Sequence, residues 1–137
     1  MIWSYKGADV PNDLSEYIGF VYLITNLISN KKYIGKKLLK FKKTKTIKGK
    51  KKKSLVESDW RTYWGSNDEL KEDVKRLGEA NFKREVLIFC KSKGELSYFE
   101  LKEQVLAGVL ESDEYYNSWI MARVRKDHLK RLTFLNK

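Results

Sequence analysis

Two short apolar runs separated by a polar turn dominate the pattern of hydrophobic and polar positions along the chain. Residues 20–25 read FVYLIT, residues 33–34 read YI, and the intervening residues 26–31 contain two Asn and one Ser. Aromatic and β-branched residues favour strands, whereas Asn and Ser favour turns. The pattern predicts a β-hairpin over residues 19–37. Because side chains alternate along strands, Tyr22 and Tyr33 can converge on one side, although packing is the ordinary role of such tyrosines.

Three further elements are predicted downstream. Residues 67–78 (NDELKEDVKRLG) begin with an Asn cap, carry acids first and bases last, and end at Gly, as a complete helix does. Residues 82–90 (FKREVLIFC) end in an apolar run typical of a central strand. The aromatic residues of 58–66 (SDWRTYWGS) have the spacing of a short helix, and could either pack in the core or stack on nucleic acid. For residues 1–18 we expect a short strand and a turn.

A long helix is predicted over residues 94–110 (GELSYFELKEQVLAGVL). Its apolar stripe, widened by two residues, consists of Leu96, Phe99, Leu101, Val105, Leu106, Val109 and Leu110. Glu100 lies at the margin of this stripe, and Glu103 lies three positions further on, on the same side. An acidic residue on a helix is ordinarily a solvated surface residue.

Length and composition predict one domain over residues 1–137. The single cysteine, Cys90, excludes an intramolecular disulfide and a cysteine-type zinc site, and its position predicts a small buried side chain. No apolar run approaches the roughly 20 residues that span a bilayer, and the N-terminal residues lack the layout of a secretion signal. We therefore expect no membrane partner and a cytoplasmic location.

The positive charge is concentrated in one segment. The chain has 29 Lys and Arg against 18 Asp and Glu, a net charge of +11, and residues 31–53 contain 13 lysines and no acid. Such a stretch is either a solvated charge run or a surface that receives a polyanion. We predict a mobile lysine-rich loop over residues 38–57 that contacts DNA phosphates without reading sequence. The predicted DNA-binding residues are Lys37, Lys40, Lys42, Lys43, Lys45, Lys48, Lys50, Lys51, Lys52 and Lys53.

The C-terminal residues predict an amphipathic closing helix over about 121–135. The only histidine, His128, falls in it and is expected to be exposed or capping rather than catalytic. The sequence shows no appended zinc finger or helix-turn-helix. Any sequence specificity must therefore come from this one domain or from a homodimer of it.

The spacing of three motifs resembles that of the GIY-YIG nuclease superfamily. Val21-Tyr22 and Tyr33-Ile34-Gly35 resemble its two signature tripeptides, although Phe20 replaces the first glycine and Gly19 stands one place earlier. The segment ELSYFE resembles the helix whose second acid, here Glu100, holds the metal, and Tyr115-Tyr116-Asn117 is similar to the pair that closes the site. The resemblance covers a catalytic core of about residues 19–120 and extends to free-standing bacteriophage endonucleases.

This resemblance, together with the pattern, implies an α/β (α+β) fold, with a small antiparallel sheet of three or more strands flanked by helices. It implies that Glu100 binds Mg²⁺, with Mn²⁺ as a substitute. Tyr22, with its pKa lowered by the metal and by nearby lysines, would position or deprotonate water, Tyr33 would orient the phosphate or water, and Asn117 would fix the site by hydrogen bonds.

One basic residue of the family pattern has no clear counterpart. The family supplies an arginine about ten residues after the second tripeptide, where this chain has Lys43, and no arginine occurs before Arg61. Arg61 is the first candidate for the missing cation, followed by Lys43 and Lys36. A lysine supplies charge but lacks the planar, bidentate contact that arginine makes with phosphate.

The hypothesis from the sequence is a metal-dependent DNA endonuclease of phage homing or DNA-degrading, restriction-like type, acting in an infected host cell. The alternative is a non-catalytic protein that binds nucleic acid nonspecifically through its basic segment. A ribosome-associated or structural protein would share the basic tract but would predict no response to metal.

Overall fold

The predicted hairpin is present and lies at one end of the main sheet, with its second strand at the edge. The computed structural model describes residues 2–129. Its strands and α-helices are β1 (Ser4–Tyr5), β2 (Ala8–Asp9), β3 (Gly19–Asn26), β4 (Lys32–Leu38), β5 (Lys40–Ile47), β6 (Lys50–Glu57), α1 (Asp68–Leu77), β7 (Phe82–Cys90) and α2 (Lys93–Ala107). Short 3-10 turns occur at Trp60–Thr62, Glu79–Asn81 and Lys126–Leu129. The predicted helix over residues 58–66 is therefore reduced to a single 3-10 turn.

Five strands form one sheet in the order β2-β1-β7-β3-β4. β3 pairs antiparallel with both β4 and β7, as the predicted antiparallel sheet requires. β1 pairs parallel with β7, so the sheet is mixed. A strand of two residues is too short for its sequence to indicate this pairing. The mixed α/β fold, a small sheet flanked by helices, is confirmed. β3 is buried along almost its whole length, which explains its continuous apolar sequence.

Side chains of β3 alternate between two cores. Phe20, Tyr22 and Ile24 pack with Leu70 and Val74 of α1. Val21 packs with Ile34, Cys90, Leu96 and Val109 in a second cluster beside α2. Cys90 is buried, as predicted. The two helices therefore cover opposite faces of the sheet.

The helix over residues 67–78 is confirmed with its caps. The Asn67 side chain accepts a hydrogen bond from the Leu70 N–H at 2.9 Å, and the chain leaves the helix at Gly78, where φ is +92°. α2 starts with a Ser92 side-chain cap on the Glu95 N–H and ends at Gly108 in the left-handed region. Within residues 2–129, no helix combines the length and the apolar character needed to cross a membrane.

The predicted apolar stripe of the long helix is only partly correct. Leu96 and Val109 are buried, but Val105, Leu106 and Leu110 are 60%, 74% and 52% exposed. The buried face instead continues to Gln104, whose side-chain amide donates a hydrogen bond to the Ile34 carbonyl. The buried Ile34 carbonyl needs a hydrogen-bond donor, so the polar residue Gln104 takes a buried position on the helix where an apolar residue was expected.

The prediction of a mobile loop over residues 38–57 is wrong. β5 and β6 pair antiparallel along their full length as a separate two-stranded sheet, here called the lysine ribbon (residues 40–57). Its turn consists of Lys48 and Gly49, with φ of +50° and +76°. Positive φ at both central residues is typical of a tight two-residue hairpin turn. The turn and the alternating Thr44 and Thr46 therefore outweigh the repulsion between lysines.

The predicted C-terminal helix is also wrong for the residues that the structure describes. Residues 121–125 have no regular secondary structure, and Lys126–Leu129 form one 3-10 turn. The remainder of the predicted helix lies outside the described residues. An apolar and basic alternation is compatible with an extended segment as well as with a helix, so the pattern did not decide between them.

Candidate active site

A cavity of about 270 Å³ brings together residues from both faces of the sheet beside the edge strand β4. Tyr22, Tyr33, Lys36, Glu100 and Asn117 all line it, although they come from two strands, one helix and the C-terminal segment. Ser66, Asn67, Gln104 and residues 118–121 complete the lining. Five of the six predicted catalytic residues therefore share one cavity.

Tyr22 reaches the cavity by crossing over Gly35. The two residues are directly paired between β3 and β4. A Cβ atom on residue 35 would lie 2.5 Å from the Tyr22 hydroxyl oxygen and 2.8 Å from Cε2 of Tyr33, so a larger residue would displace both rings. The rings of Tyr22 and Tyr33 are 6.1 Å apart. The glycine of the second tripeptide is thus required for the approach of the two tyrosines.

An irregularity in the sheet lies at Tyr22. The pairing of β3 with β7 changes from Val21 opposite Ile88 to Tyr22 opposite Val86, which leaves Leu87 as the extra residue of a β-bulge. Bulges re-aim neighbouring side chains and increase local twist. The bulge therefore contributes to the direction in which Tyr22 leaves the sheet.

The two tyrosines are neutral phenols in this environment. Burial raises the pKa of Tyr22 well above its ordinary value, and the neighbouring Tyr63 and Tyr33 raise it further. Burial also raises the pKa of Tyr33, against the opposing effect of a hydrogen bond of 3.1 Å with the Ser66 hydroxyl. Without a contribution from a metal, the Tyr22 pKa is thus shifted upward, mainly by burial and further by Tyr63, Tyr33 and Glu100, whereas from the sequence we expected a metal and lysines to lower it.

Glu100 supplies a partly buried carboxylate to the cavity. Its side chain is 14% exposed, and its nearest cation is the Lys36 ammonium at 3.9 Å, which also donates to the Ser97 hydroxyl at 3.0 Å. Burial raises the pKa of Glu100, and Lys36 opposes that shift. A carboxylate that burial penalises and a single distant cation compensates would gain from a further positive ion.

The donor set fits a largely hydrated cation. Among the described residues, no three His, Cys, Asp or Glu side chains cluster as metal ligands. A single carboxylate opening into a cavity with hydroxyl and amide groups matches Mg²⁺, which keeps several waters and uses one or two carboxylates together with substrate phosphates. Glu100 is therefore the residue that could hold such an ion.

Asn117 holds β4 through both ends of its side-chain amide. Its side-chain oxygen accepts a hydrogen bond from the Ile34 N–H at 3.1 Å, and its amide donates to the Ile34 carbonyl at 2.8 Å. The Gln104 amide donates to the same carbonyl at 3.0 Å. Since Ile34 lies between Tyr33 and Gly35, these bonds fix the strand that carries the second tyrosine.

The segment before Asn117 is anchored by a buried hydrogen-bond network. Tyr116 donates to Asp73 at 2.7 Å and accepts a hydrogen bond from Asn26 at 3.1 Å. Burial raises the pKa of Tyr116 to about 12, and the Tyr116 hydrogen bond lowers the pKa of Asp73. Backbone hydrogen bonds between Lys32 and residues 114 and 116 add this segment to the edge of β4. The network connects α1, the hairpin turn and Asn117.

A positioning residue missed by the sequence reasoning is Arg84. Its guanidinium lies between the rings of Trp3 and Trp64, at 4.7 and 4.3 Å from their centroids. It donates to the backbone carbonyl of Tyr63 at 2.8 Å and to that of Arg61 at 3.2 Å. Burial lowers its pKa to about 10. The sequence does not distinguish Arg84 from its charged neighbours Lys83 and Glu85 in the same strand.

The other basic candidates lie elsewhere. Arg61 pairs with Glu57 at 3.1 Å, stacks on Trp60 at 4.4 Å and does not line the cavity. Lys43 belongs to the lysine ribbon. Lys37 forms an ion pair with Asp59 and lies 4.0 Å from the Tyr63 ring centroid. Of the three candidates for the missing arginine, Lys36 is the one that the fold brings to the cavity.

Comparison with known proteins agrees with this arrangement. The family model described as "Putative endonuclease segE, GIY-YIG domain" matches residues 3–120. "Putative endonuclease segE" of Enterobacteria phage T4 is 33% identical over 98 residues, which cover 72% of this chain and 39% of that protein. The chain thus spans about two fifths of the length of this relative. No solved structure matches the chain significantly. Because the family match includes both tyrosine strands, Glu100 and Asn117, the chain belongs to the GIY-YIG domain family represented by segE.

Proposed function

We propose that the chain is a metal-dependent DNA endonuclease that hydrolyses phosphodiester bonds in the cavity beside β4. The observation that carries the proposal is the convergence of Tyr22, Tyr33, Lys36 and Glu100 in one cavity, with Asn117 holding the strand between them. The reaction class is supported by the matching family and the phage T4 relative, both of which carry the name "Putative endonuclease segE". Homing and DNA-degrading enzymes hydrolyse the same bond, so the proposal covers both.

Phosphodiester hydrolysis requires a positioned water, a compensated phosphate charge and an in-line approach. Water attacks phosphorus and loses a proton to solvent, while the bond to the leaving oxygen breaks and that oxygen takes up a proton from solvent. In this site Glu100 would hold Mg²⁺, or Mn²⁺ in its place. When bound, the ion would supply positive charge to the phosphoryl oxygens.

The remaining residues have roles that follow from their surroundings. Tyr22, which its raised pKa keeps a neutral phenol, can donate a hydrogen bond to a phosphate oxygen or orient the water. The Tyr33 hydroxyl is oriented by its hydrogen bond with Ser66. It can hold whichever of the two groups, the phosphate or the water, Tyr22 does not contact. Lys36 offers a point charge for the developing negative charge and is our candidate for the role of the family's arginine. Asn117 keeps β4 in register with the cavity rather than contacting the reacting atoms.

Cleavage of supercoiled plasmid tests the proposal. We expect nicked or linear product with Mg²⁺, none with EDTA, and none with Glu100→Ala. Glu103→Ala is the matched control, because Glu103 lies on the same helix but does not line the cavity. A homodimer would present two sites and favour linear over nicked product. Equal cleavage by Glu100→Ala and the unaltered protein would overturn the role of Glu100.

Tyr22→Phe tests the tyrosine separately. The substitution keeps the buried ring and removes only the hydroxyl, so the fold should persist. We expect turnover to fall by roughly 100-fold or more, the typical effect of removing a group that moves or orients a proton. Full turnover would remove the hydroxyl from the mechanism. A salt-sensitive gel shift with no cleavage under any condition would favour the non-catalytic binding protein.

A further inference from the structure

The lysine ribbon has two cationic faces, and only Lys40, at its base, lies opposite an acidic residue, Glu57. We propose that it enters the major groove of duplex DNA and contacts the phosphates of both strands, one strand with each face. The inference depends on the proposed function only for the identity of the ligand.

The strand register assigns the faces. Residues directly opposite each other in an antiparallel pair project to the same side, and successive pairs alternate. Lys43 is opposite Ser54, Lys45 is opposite Lys52, and Ile47 is opposite Lys50. Face 1 therefore carries Lys43, Lys45, Lys50 and Lys52, and face 2 carries Lys40, Lys42, Lys51 and Lys53. Each face has four lysines, so the charge is not directed to one side.

The charge of the ribbon is not neutralised within the protein. No acidic residue occurs between positions 40 and 56, and the strands are exposed on both faces except at their base. In the part of the chain that the structure describes, the recorded ion pairs include none of the lysines at positions 42–53. These cations are available to an external anion.

The pairing itself favours a bound polyanion. Lys45 lies directly opposite Lys52, and like charges in that relationship destabilise a sheet. Phosphates on both sides of the ribbon would remove this repulsion. The free ribbon is thus held by its turn and its backbone hydrogen bonds, and the bound ribbon would gain charge compensation as well.

The base of the ribbon is fixed to the body of the protein. The Leu39 N–H donates to the Ile18 carbonyl at 2.8 Å, and the Ser58 N–H donates to the Leu39 carbonyl at 2.8 Å. Leu39 and Trp60 beneath it are buried. Both ends of the ribbon therefore start from one anchored point, so that it projects as an arm rather than as a tether.

A two-faced cationic arm fits a groove better than a flat surface. An arm lying on the outside of a duplex would place phosphates against one face only. The major groove of B-form DNA is about 12 Å wide and admits a two-stranded ribbon, whereas the minor groove is about 6 Å wide. The deep, narrow major groove of A-form RNA is closed to such an arm. Double-stranded RNA of equal length therefore provides a ligand of equal charge and different groove shape.

Binding in EDTA separates this inference from cleavage. The probe is a 30-base-pair duplex of mixed sequence, titrated at several salt concentrations. We compare two variants, each with Lys→Gln at the four lysines of one face. Each phosphate contact contributes about −0.9 to the slope of log K against log salt, so each variant should make the slope less negative by up to about 3.6. A Lys71, Lys75, Lys93 and Lys102→Gln variant, which alters exposed lysines on the helices, is the charge-matched control and should leave the slope unchanged.

Groove occupancy is read independently by methylation protection. We expect protection of guanine N7, which faces the major groove, and no protection of adenine N3, which faces the minor groove. Competition by double-stranded RNA should be at least tenfold weaker than by DNA. An unchanged slope in either face variant, or protection of adenine N3 alone, would overturn the inference. If both face variants show the expected change in salt dependence but the unaltered protein cuts no DNA, the inference about the ribbon stands and the proposed function is contradicted.

Discussion

The Asn117 side chain and the Ile34 backbone form a closed pair of hydrogen bonds, at 3.1 and 2.8 Å, in the manner of two adjacent strands. The pair lies between Tyr33 and Gly35, two residues that shape the cavity. Asn117→Asp keeps the size of the side chain but removes the donor and places a carboxylate against a carbonyl. We expect a loss of about 1–3 kcal/mol in stability and a fall in turnover.

Asn81→Ala is the control for that experiment. The Asn81 amide donates to the Leu77 carbonyl at 2.7 Å, at the end of α1 and outside the cavity. Its loss should lower the free energy of unfolding by about 1 kcal/mol and leave turnover unchanged well below the melting temperature. If both variants cut equally well, Asn117 would have a structural role alone.

Because Tyr22 packs directly on Gly35, we expect the addition of one methyl group at position 35 to have a large effect on cleavage. Gly35→Ala would place its Cβ 2.5 Å from the Tyr22 hydroxyl oxygen, and overpacking of this kind costs about 1–3 kcal/mol. Both tyrosine rings must move, so we expect cleavage to fall far more than stability does. Turnover with Mg²⁺ and thermal melting measure the two effects. Unchanged turnover would show that the rings tolerate displacement.

The Tyr116–Asp73 hydrogen bond predicts a pH-dependent stability difference. Tyr116→Phe should destabilise the protein by about 1–2 kcal/mol at pH 7, because Asp73 and Asn26 lose a partner. The bond lowers the pKa of Asp73 in the folded state, so its contribution is present above the unfolded pKa of about 3.9 and is lost as pH falls through the lower folded pKa. Urea unfolding at pH 7 and pH 3 should therefore show a difference that narrows in acid. Tyr98→Phe, on α2, should show no such dependence.

We expect Arg84, which lies outside the cavity, to affect the position of Tyr22 in the cavity through Tyr63. Arg84→Lys keeps the charge but loses the planar stacking between Trp3 and Trp64 and the hydrogen bond to the Tyr63 carbonyl. We expect a stability loss of about 3 kcal/mol, in the range of charged hydrogen bonds. Turnover should fall as well, because Tyr63 packs on Tyr22 at 6.0 Å. Chemical denaturation and plasmid cleavage measure the two effects, and Lys83→Gln on the same strand is the control.

Local patterns were sufficient for the hairpin, α1 and β7, because their signals are turn residues, caps and apolar runs close together in sequence. The roles of Tyr22, Glu100 and Asn117 were predicted from resemblance, and their placement in one cavity depends on long-range pairing. No spacing rule would have found Arg84, whose partners Trp3 and Trp64 come from distant segments.

Two of the errors, those at the lysine ribbon and on α2, have a related physical reason. In the lysine ribbon, charge repulsion was given more weight than the Lys48-Gly49 turn and the alternating threonines, which favour strands. On α2, apolar periodicity was given more weight than the need of the Ile34 carbonyl for donors, which Gln104 and Asn117 supply. In both cases a backbone hydrogen-bonding requirement outweighed the side-chain pattern.

Trp3 determines where this domain can be truncated for fusion to another protein. Its ring packs on Phe20 at 5.0 Å and on Tyr22 at 5.3 Å, its indole N–H donates to the Trp60 carbonyl at 2.8 Å, and it covers one side of Arg84. A truncated domain that begins at Gly19 would lack Trp3, and a cavity the size of the missing side chain would remain beside Tyr22. The portable unit for fusion to another protein therefore has to begin before Trp3, and the junction must leave that indole in place.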